Sequence, residues 1–232
     1  MLAREGAESI WGWETPAGKV RAQRRAGLIL SKLKQQESYE ILELGCGTGD
    51  FTRLFSRPEF TLTAVDISED LIAIASKNLA DYQNVQFIHS SFESLPDNKK
   101  YDAVIGSSVL HHLEIKPALE QIHSLLKPGG VMSFAEPNML NPQIMVQKNI
   151  PWIKQKMGDS PDETAFFRWQ IHRYLREAGF QSIHVRAFDW LHPLVPSGLI
   201  PFIRRVGTVF EVLPLVKEFA GSLLISAQKA VE

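Results

Sequence analysis

The chain has 232 residues, enough to bury one large core but short for two full domains. Its 25 Lys and Arg against 26 Asp and Glu leave a formal charge of −1, which disfavours a nucleic acid or other polyanionic partner. A single cysteine excludes an internal disulfide, and neither a leader-peptide core nor a run of ~18 apolar residues is present, so a cytoplasmic protein without a transmembrane segment is expected.

Residues 1–36 carry Trp11-Gly12-Trp13-Glu14-Thr15-Pro16, then a helical stretch with Ala26, Ile29, Leu30 and Leu33 on one face. Arg21, Arg24, Arg25 and Lys32 cluster on a neighbouring face, which reads first as a solvated surface and second as a clamp for an acidic substrate. A strand near 40–45 follows and runs into Gly45, Gly47 and Gly49, with a helical pattern behind them. Strand, glycine turn and helix in that order mark the place where open α/β sheets bind a nucleotide. The next strand, near 60–66, ends in Asp66, where a carboxylate can accept from both hydroxyls of a ribose.

The glycine spacing narrows the ligand. Dinucleotide sites use G-x-G-x-x-G, yet the third position here is Asp50, whose charge would repel a pyrophosphate at the helix N-terminus. No Gly-Lys-Ser/Thr follows, which removes the P-loop. An adenosine ligand without phosphates fits best. The run Ile41-Leu42-Glu43-Leu44-Gly45-Cys46-Gly47-Thr48-Gly49-Asp50 resembles the first motif of class I S-adenosylmethionine-dependent methyltransferases, and Ala64-Val65-Asp66-Ile67-Ser68 resembles their second.

The resemblance continues in the family's order. Behind a strand near 84–89, Ser90-Ser91-Phe92-Glu93 is similar to the adenine loop, with Ser91 where relatives usually carry Asp. Tyr101 to Leu113, with a strand near 101–107, resembles the fourth-strand motif and ends in His111-His112. Ile115, Ala118, Leu119, Ile122, Leu125 and Leu126 form the apolar stripe of a helix, which Pro128-Gly129-Gly130 should end before a strand near 130–136. Tyr174 to Phe180 resembles the helix end before a strand near 180–187, and a last strand is expected near 221–229. The family resemblance implies an α/β, Rossmann-like, three-layer fold whose seven-stranded sheet is mostly parallel with the last strand antiparallel, in one methyltransferase domain with core residues 38–188 and 220–229. It also implies S-adenosylmethionine as cofactor, S-adenosylhomocysteine as product, and Glu43, Gly45, Cys46, Gly47, Gly49, Asp66, Ile67, Ser91, Phe92 and Ser107 as cofactor-binding residues.

Methyl transfer asks mainly for alignment of acceptor, methyl and sulfur, helped by a base where the acceptor carries a proton. His111 is the first candidate base, His112 the second; Glu136, His172 and His192 stand behind them, and each has an alternative structural role. No metal site is indicated. The region after strand four lacks the Asn/Asp-Pro-Pro-Tyr/Phe motif of many amino-group methyltransferases, which lowers nucleic acid and protein glutamine as acceptors and leaves a small, hydrophobic molecule. An RNA or protein methyltransferase, or a binding protein of this fold without activity, are the alternatives. The N-terminal segment 1–36, an irregular insertion over 138–163 and an apolar one over 189–219 are expected to cover the acceptor site as a helical lid, the last with a helix near 201–213; dimerisation and membrane docking are the other uses for its apolar surface.

Overall fold

A computed structural model describes residues 12–33, 36–156 and 163–231. Trp11 and the first ten residues, as well as 157–162 of the second insertion, lie outside the described residues.

Helix α1 (Pro16–Leu30) begins where Thr15 accepts from the Gly18 N–H and Pro16 occupies the first turn. The sheet then alternates with helices: β1 (Tyr39–Leu44), α2 (Asp50–Phe55), β2 (Phe60–Asp66), α3 (Glu69–Asn78), β3 (Val85–His89), β4 (Tyr101–Ser107), α4 (Ile115–Leu125) and β5 (Leu126–Pro137). Two short helices follow, α5 (Pro142–Asn149) and α6 (Pro151–Lys156), then α7 (Arg168–Glu177), β6 (Gln181–Phe188), α8 (Ile200–Phe210) and β7 (Ser222–Gln228). The strand order is β3-β2-β1-β4-β5-β7-β6; β7 runs antiparallel to both β5 and β6, and the other pairings are parallel.

Alternation along the strands fills two cores, as a sheet covered on both faces requires. Leu42, Leu44 and Val104 face one side with the α4 stripe of Ala118, Leu119, Ile122 and Leu125. Ile41, Ala103 and Ile105 face the other, where Ala26, Ile29 and Leu30 of α1 lie with Phe55. The Ser68 hydroxyl caps α3 from the expected position.

Three expectations need correction. The strand after α4 starts at Leu126, ahead of Pro128-Gly129-Gly130, because the bulge between the pairs Tyr101↔Leu126 and Ala103↔Val131 takes up those residues inside the ladder. The second insertion is not irregular in its first half: Asn141 accepts from the Gln143 and Ile144 N–H groups and, with Pro142 in the first turn, starts α5. The arginines of α1 are not a solvated cluster but are tied to the rest of the protein. Arg21 pairs with Asp189 (2.9 Å), Arg24 with Glu211 (2.6 Å), and Arg25 is 3% exposed, donating to Ser107 (3.2 Å), Ser108 (2.8 Å) and Ser222.

Candidate active site

A cleft of about 500 Å³ opens at the carboxyl ends of β1, β2 and β4, the edge where ligands bind in open α/β sheets. Gly45 and Cys46 both donate to the Val65 carbonyl (2.8 and 3.1 Å), which fastens the glycine loop to β2. Gly47 has φ of 54°, and a Cβ there would meet nothing within 4 Å, so its backbone faces open cleft. Gly49 serves packing instead: φ is 87°, and a Cβ would lie 2.5 Å from Leu79 on α3. Asp66 accepts from the Gly47 N–H (2.8 Å) on one oxygen and the Ser68 N–H (2.9 Å) on the other, which leaves each oxygen a free lone pair toward the cleft.

The wall contains Gly45, Cys46, Gly47, Asp66, Ile67, Phe92 and Ser107 of the expected cofactor residues, but not Glu43, Gly49 or Ser91. Glu43 is buried beneath the loop; desolvation pushes its carboxyl up to about 8, Asp66 adds to the rise and Thr52 opposes it. The Ser91 hydroxyl donates to Ser94 (2.9 Å), and the flanking Ser90 and Glu93 face the cleft in its place. Burial, with Glu43 and Asp66 nearby, raises the Cys46 thiol far above its usual range, so it is a filler and not a nucleophile.

Apolar wall is supplied by Trp13, Phe51, Leu71, Val109 and Leu113. Among the described residues of the wall the charged ones are Asp50, Asp66 and Glu93, with no Lys or Arg. Such a wall is hostile to a pyrophosphate and favourable to a ligand that carries positive charge and no phosphate. The amino and sulfonium groups of S-adenosylmethionine, its ribose and its purine fit that donor and acceptor set.

The two histidines part company. His112 lies in the cleft wall, its side chain 46% exposed, and burial together with the neighbouring His111 lowers its pKa. His111 is absent from the wall; its side chain is fully buried, with Nδ1 2.6 Å from Glu136 Oε2 and Nε2 3.4 Å from Glu163 Oε1. Burial disfavours its charge, but the two carboxylates outweigh that and raise its pKa. Glu136 also accepts from the Val109 and Leu110 N–H groups (both 3.0 Å), and Lys148 pairs with Glu163. Two carboxylates and one ammonium thus surround the His111 ring inside the fold, which places this candidate base behind the cleft wall as a buried link. His111, His112 and Glu163 offer ligand atoms within 4.8 Å of one another, but the Lys148 ammonium already sits on Glu163.

Glu163 and Arg25 carry much of this arrangement, and no motif pointed to either. Arg25 holds Ser107 and Ser108 at the cleft rim, where Ser108 takes the left-handed φ of 58°. Desolvation, then Arg21, lowers the Arg25 pKa to about 10 against the pull of Asp189 and Glu136.

The 189–219 segment contributes nothing to the wall of this cleft. It helps line a second one of about 610 Å³ with Asp189 to Leu194, opposite Asn141, Gln143, Ile144 and Gln147. Trp190, Leu191 and Leu194 supply apolar wall to that cleft, while half of the segment's large apolar side chains are exposed. His192 lines it, and His172 lines neither cleft. Gly12 and Thr15 face the second cleft and Trp13 the first, so residues 12–15 stand between the two.

Residues 41–130 match a protein family described as "Methyltransferase domain". A malonyl-[acyl-carrier protein] O-methyltransferase of Halalkalibacterium halodurans is 38% identical over 44% of this chain, and the aligned part spans only 40% of that relative's length. A demethylmenaquinone methyltransferase of Staphylococcus epidermidis is 26% identical over 69% of this chain and 75% of its own. Among solved structures, the N-methyltransferase NodS from Bradyrhizobium japonicum WM9 in complex with S-adenosyl-L-homocysteine shares the fold with a TM-score of 0.64 at 17% identity, over 98% of this chain and 96% of its own.

Proposed function

We propose that the chain is a class I S-adenosylmethionine-dependent methyltransferase and that it transfers a methyl group to a small, hydrophobic acceptor seated at the His112 end of the glycine-loop cleft. The observation that carries this reading is the wall itself: acids at 50, 66 and 93 and no Lys or Arg among its described residues, around an open Gly47 backbone. Asp66 would hold the ribose of the cofactor, Phe92 its purine, and the Gly45–Gly47 backbone its methionine portion. The cofactor supplies an electrophilic methyl on a sulfonium.

The chain's own part is positional. Arg25 fixes the Ser107-Ser108 rim, and Glu136 fixes the Val109 and Leu110 N–H groups; both hold the floor on which the acceptor is aligned. Trp13, Val109 and Leu113 exclude water from that end of the cleft. His112, with Nδ1 3.6 Å from Glu163 Oε2 and a pKa lowered by burial and by His111, is the base that accepts the acceptor's proton. Two relatives named for a malonyl-acyl carrier and for demethylmenaquinone support a non-nucleic-acid acceptor.

The test is transfer of labelled methyl from S-adenosylmethionine to extract fractions ordered by hydrophobicity. Label should enter the apolar small-molecule fraction, and His112→Ala should lower kcat ~10²-fold with cofactor affinity near normal. Label confined to RNA or protein would overturn the acceptor class, and full turnover by His112→Ala would remove the base.

A further inference from the structure

We propose that the 194–219 face is a docking surface for an anionic lipid bilayer. Of the large apolar side chains exposed among the described residues, most lie in this one segment: Leu194 (79%), Phe202 (62%), Val212 (72%) and Leu215 (79%) among them. Surface apolar residues scattered singly need no explanation, but a run of this density marks a contact site.

Helix α8 organises the run. Ile200, Ile203 and Gly207 turn inward, toward Ala17, Leu191 and Trp190. Phe202 and Val209, seven residues apart on the helix, with Leu199 just before it and Leu213 just after it, are exposed apolar side chains. Arg204, Arg205 and Thr208 are exposed on the same helix. The helix thus has one face for the protein, one apolar face outward and a basic strip along the edge, the arrangement of a helix that lies in a membrane interface. No helix among the described residues is long and apolar enough to cross a membrane, so the contact would lie in the surface of one leaflet.

Charge selects the occupant. The two acids of the segment are turned into ion pairs with the rest of the protein, Glu211 with Arg24 and Glu218 with Arg168. Arg204, Arg205 and Lys217 remain exposed without an acidic partner among the described residues. The free charge on this face is therefore all positive, which suits anionic headgroups. A second copy of the chain fits worse, because a two-fold interface would set the same basic strip near itself with no acid between. The inference stands apart from the proposed acceptor, since lipid binding needs neither acceptor nor cofactor.

The experiment is co-sedimentation of the full chain with vesicles of phosphatidylcholine alone or enriched in phosphatidylglycerol. The chain should sediment with the anionic vesicles and weaken as salt is raised. Arg204→Gln with Arg205→Gln should weaken that binding about 30-fold, and Phe202→Ser with Val209→Ser should abolish it while leaving the circular dichroism and the affinity for S-adenosylmethionine unchanged. The proposal is overturned if the wild-type chain ignores anionic vesicles, if it binds both vesicle types equally and without regard to salt, or if the apolar substitutions convert a dimer to a monomer and leave vesicle binding intact.

Discussion

The glycine loop and the 189–219 segment solve opposite problems with similar economy. The loop, between β1 and α2, is specified by neighbours in sequence: glycines that accept φ of 54° and 87°, and a strand end that delivers Asp66 beside them. The later segment has no such local code. It is held by pairs distant in sequence, Arg21 with Asp189, Arg24 with Glu211 and Thr15 with the Pro193 carbonyl (2.9 Å). Chemistry that must be exact is written locally, and a surface that must be presented is hung on long-range contacts.

That contrast is broken most severely at Glu136, where local and distant contacts meet. Glu136→Ala strips the acceptor from two backbone N–H groups and from His111, and should cost about 3–5 kcal/mol in urea unfolding. The same unfolding measured against pH sharpens the picture. His111 has a folded pKa above its unfolded value of ~6.5, so its contribution is complete below that pH and is lost as pH rises through the folded pKa. Glu136 is lowered, through His111 and the two N–H groups against the opposing effect of burial, so its contribution is complete above ~4.3 and lost on acidification. The stability gap between wild type and His111→Asn should therefore be widest between those values and shrink toward alkaline pH. A gap independent of pH would mean that His111 is neutral in the fold.

Within the loop, two glycines separate packing from binding. Gly49→Ala places a methyl 2.5 Å from Leu79 and strains a left-handed backbone, for about 2–4 kcal/mol of stability. Gly47→Ala meets no neighbour, so it should cost only about 1–2 kcal/mol yet reduce cofactor affinity by tenfold or more. Parallel unfolding and calorimetry on both variants check the division, and an unchanged affinity in Gly47→Ala would move the ligand away from the loop. The smallest effect belongs to the later segment. Arg24→Ala removes a pair that is a third exposed on the arginine side, worth about 1 kcal/mol, and thermal unfolding should shift only slightly.

The same contrast explains how far the sequence could be read. The strands, the antiparallel last one and the cleft followed from glycines, periodicity and a family resemblance, because each of those signals sits within a few residues of what it specifies. Gly45, Gly47 and Asp66 came to the cleft for that reason. His111 and His112 could not be told apart from spacing, since only the fold turns one ring under the floor and the other into the cleft. Arg25 looked like part of a surface cluster; that it crosses to Ser107, Ser108 and Ser222 depends on the end of β4 and the start of β7 meeting over α1. The outward set of the 189–219 side chains was illegible for the same reason: an apolar run states that something must be covered, not by what.

The central claim is that a cleft around Gly47 with acids at 50, 66 and 93 selects a positively charged adenosine ligand without phosphates. Isothermal titration calorimetry of the wild-type chain and Asp66→Ala with S-adenosylmethionine and with NAD tests it most directly. The account predicts binding of S-adenosylmethionine, no measurable binding of NAD, and a loss of roughly 10- to 150-fold in cofactor affinity for Asp66→Ala, the value of ~1.5–3 kcal/mol for hydrogen bonds to a charged group. Tight binding of NAD, or an affinity for S-adenosylmethionine untouched by Asp66→Ala, would contradict it.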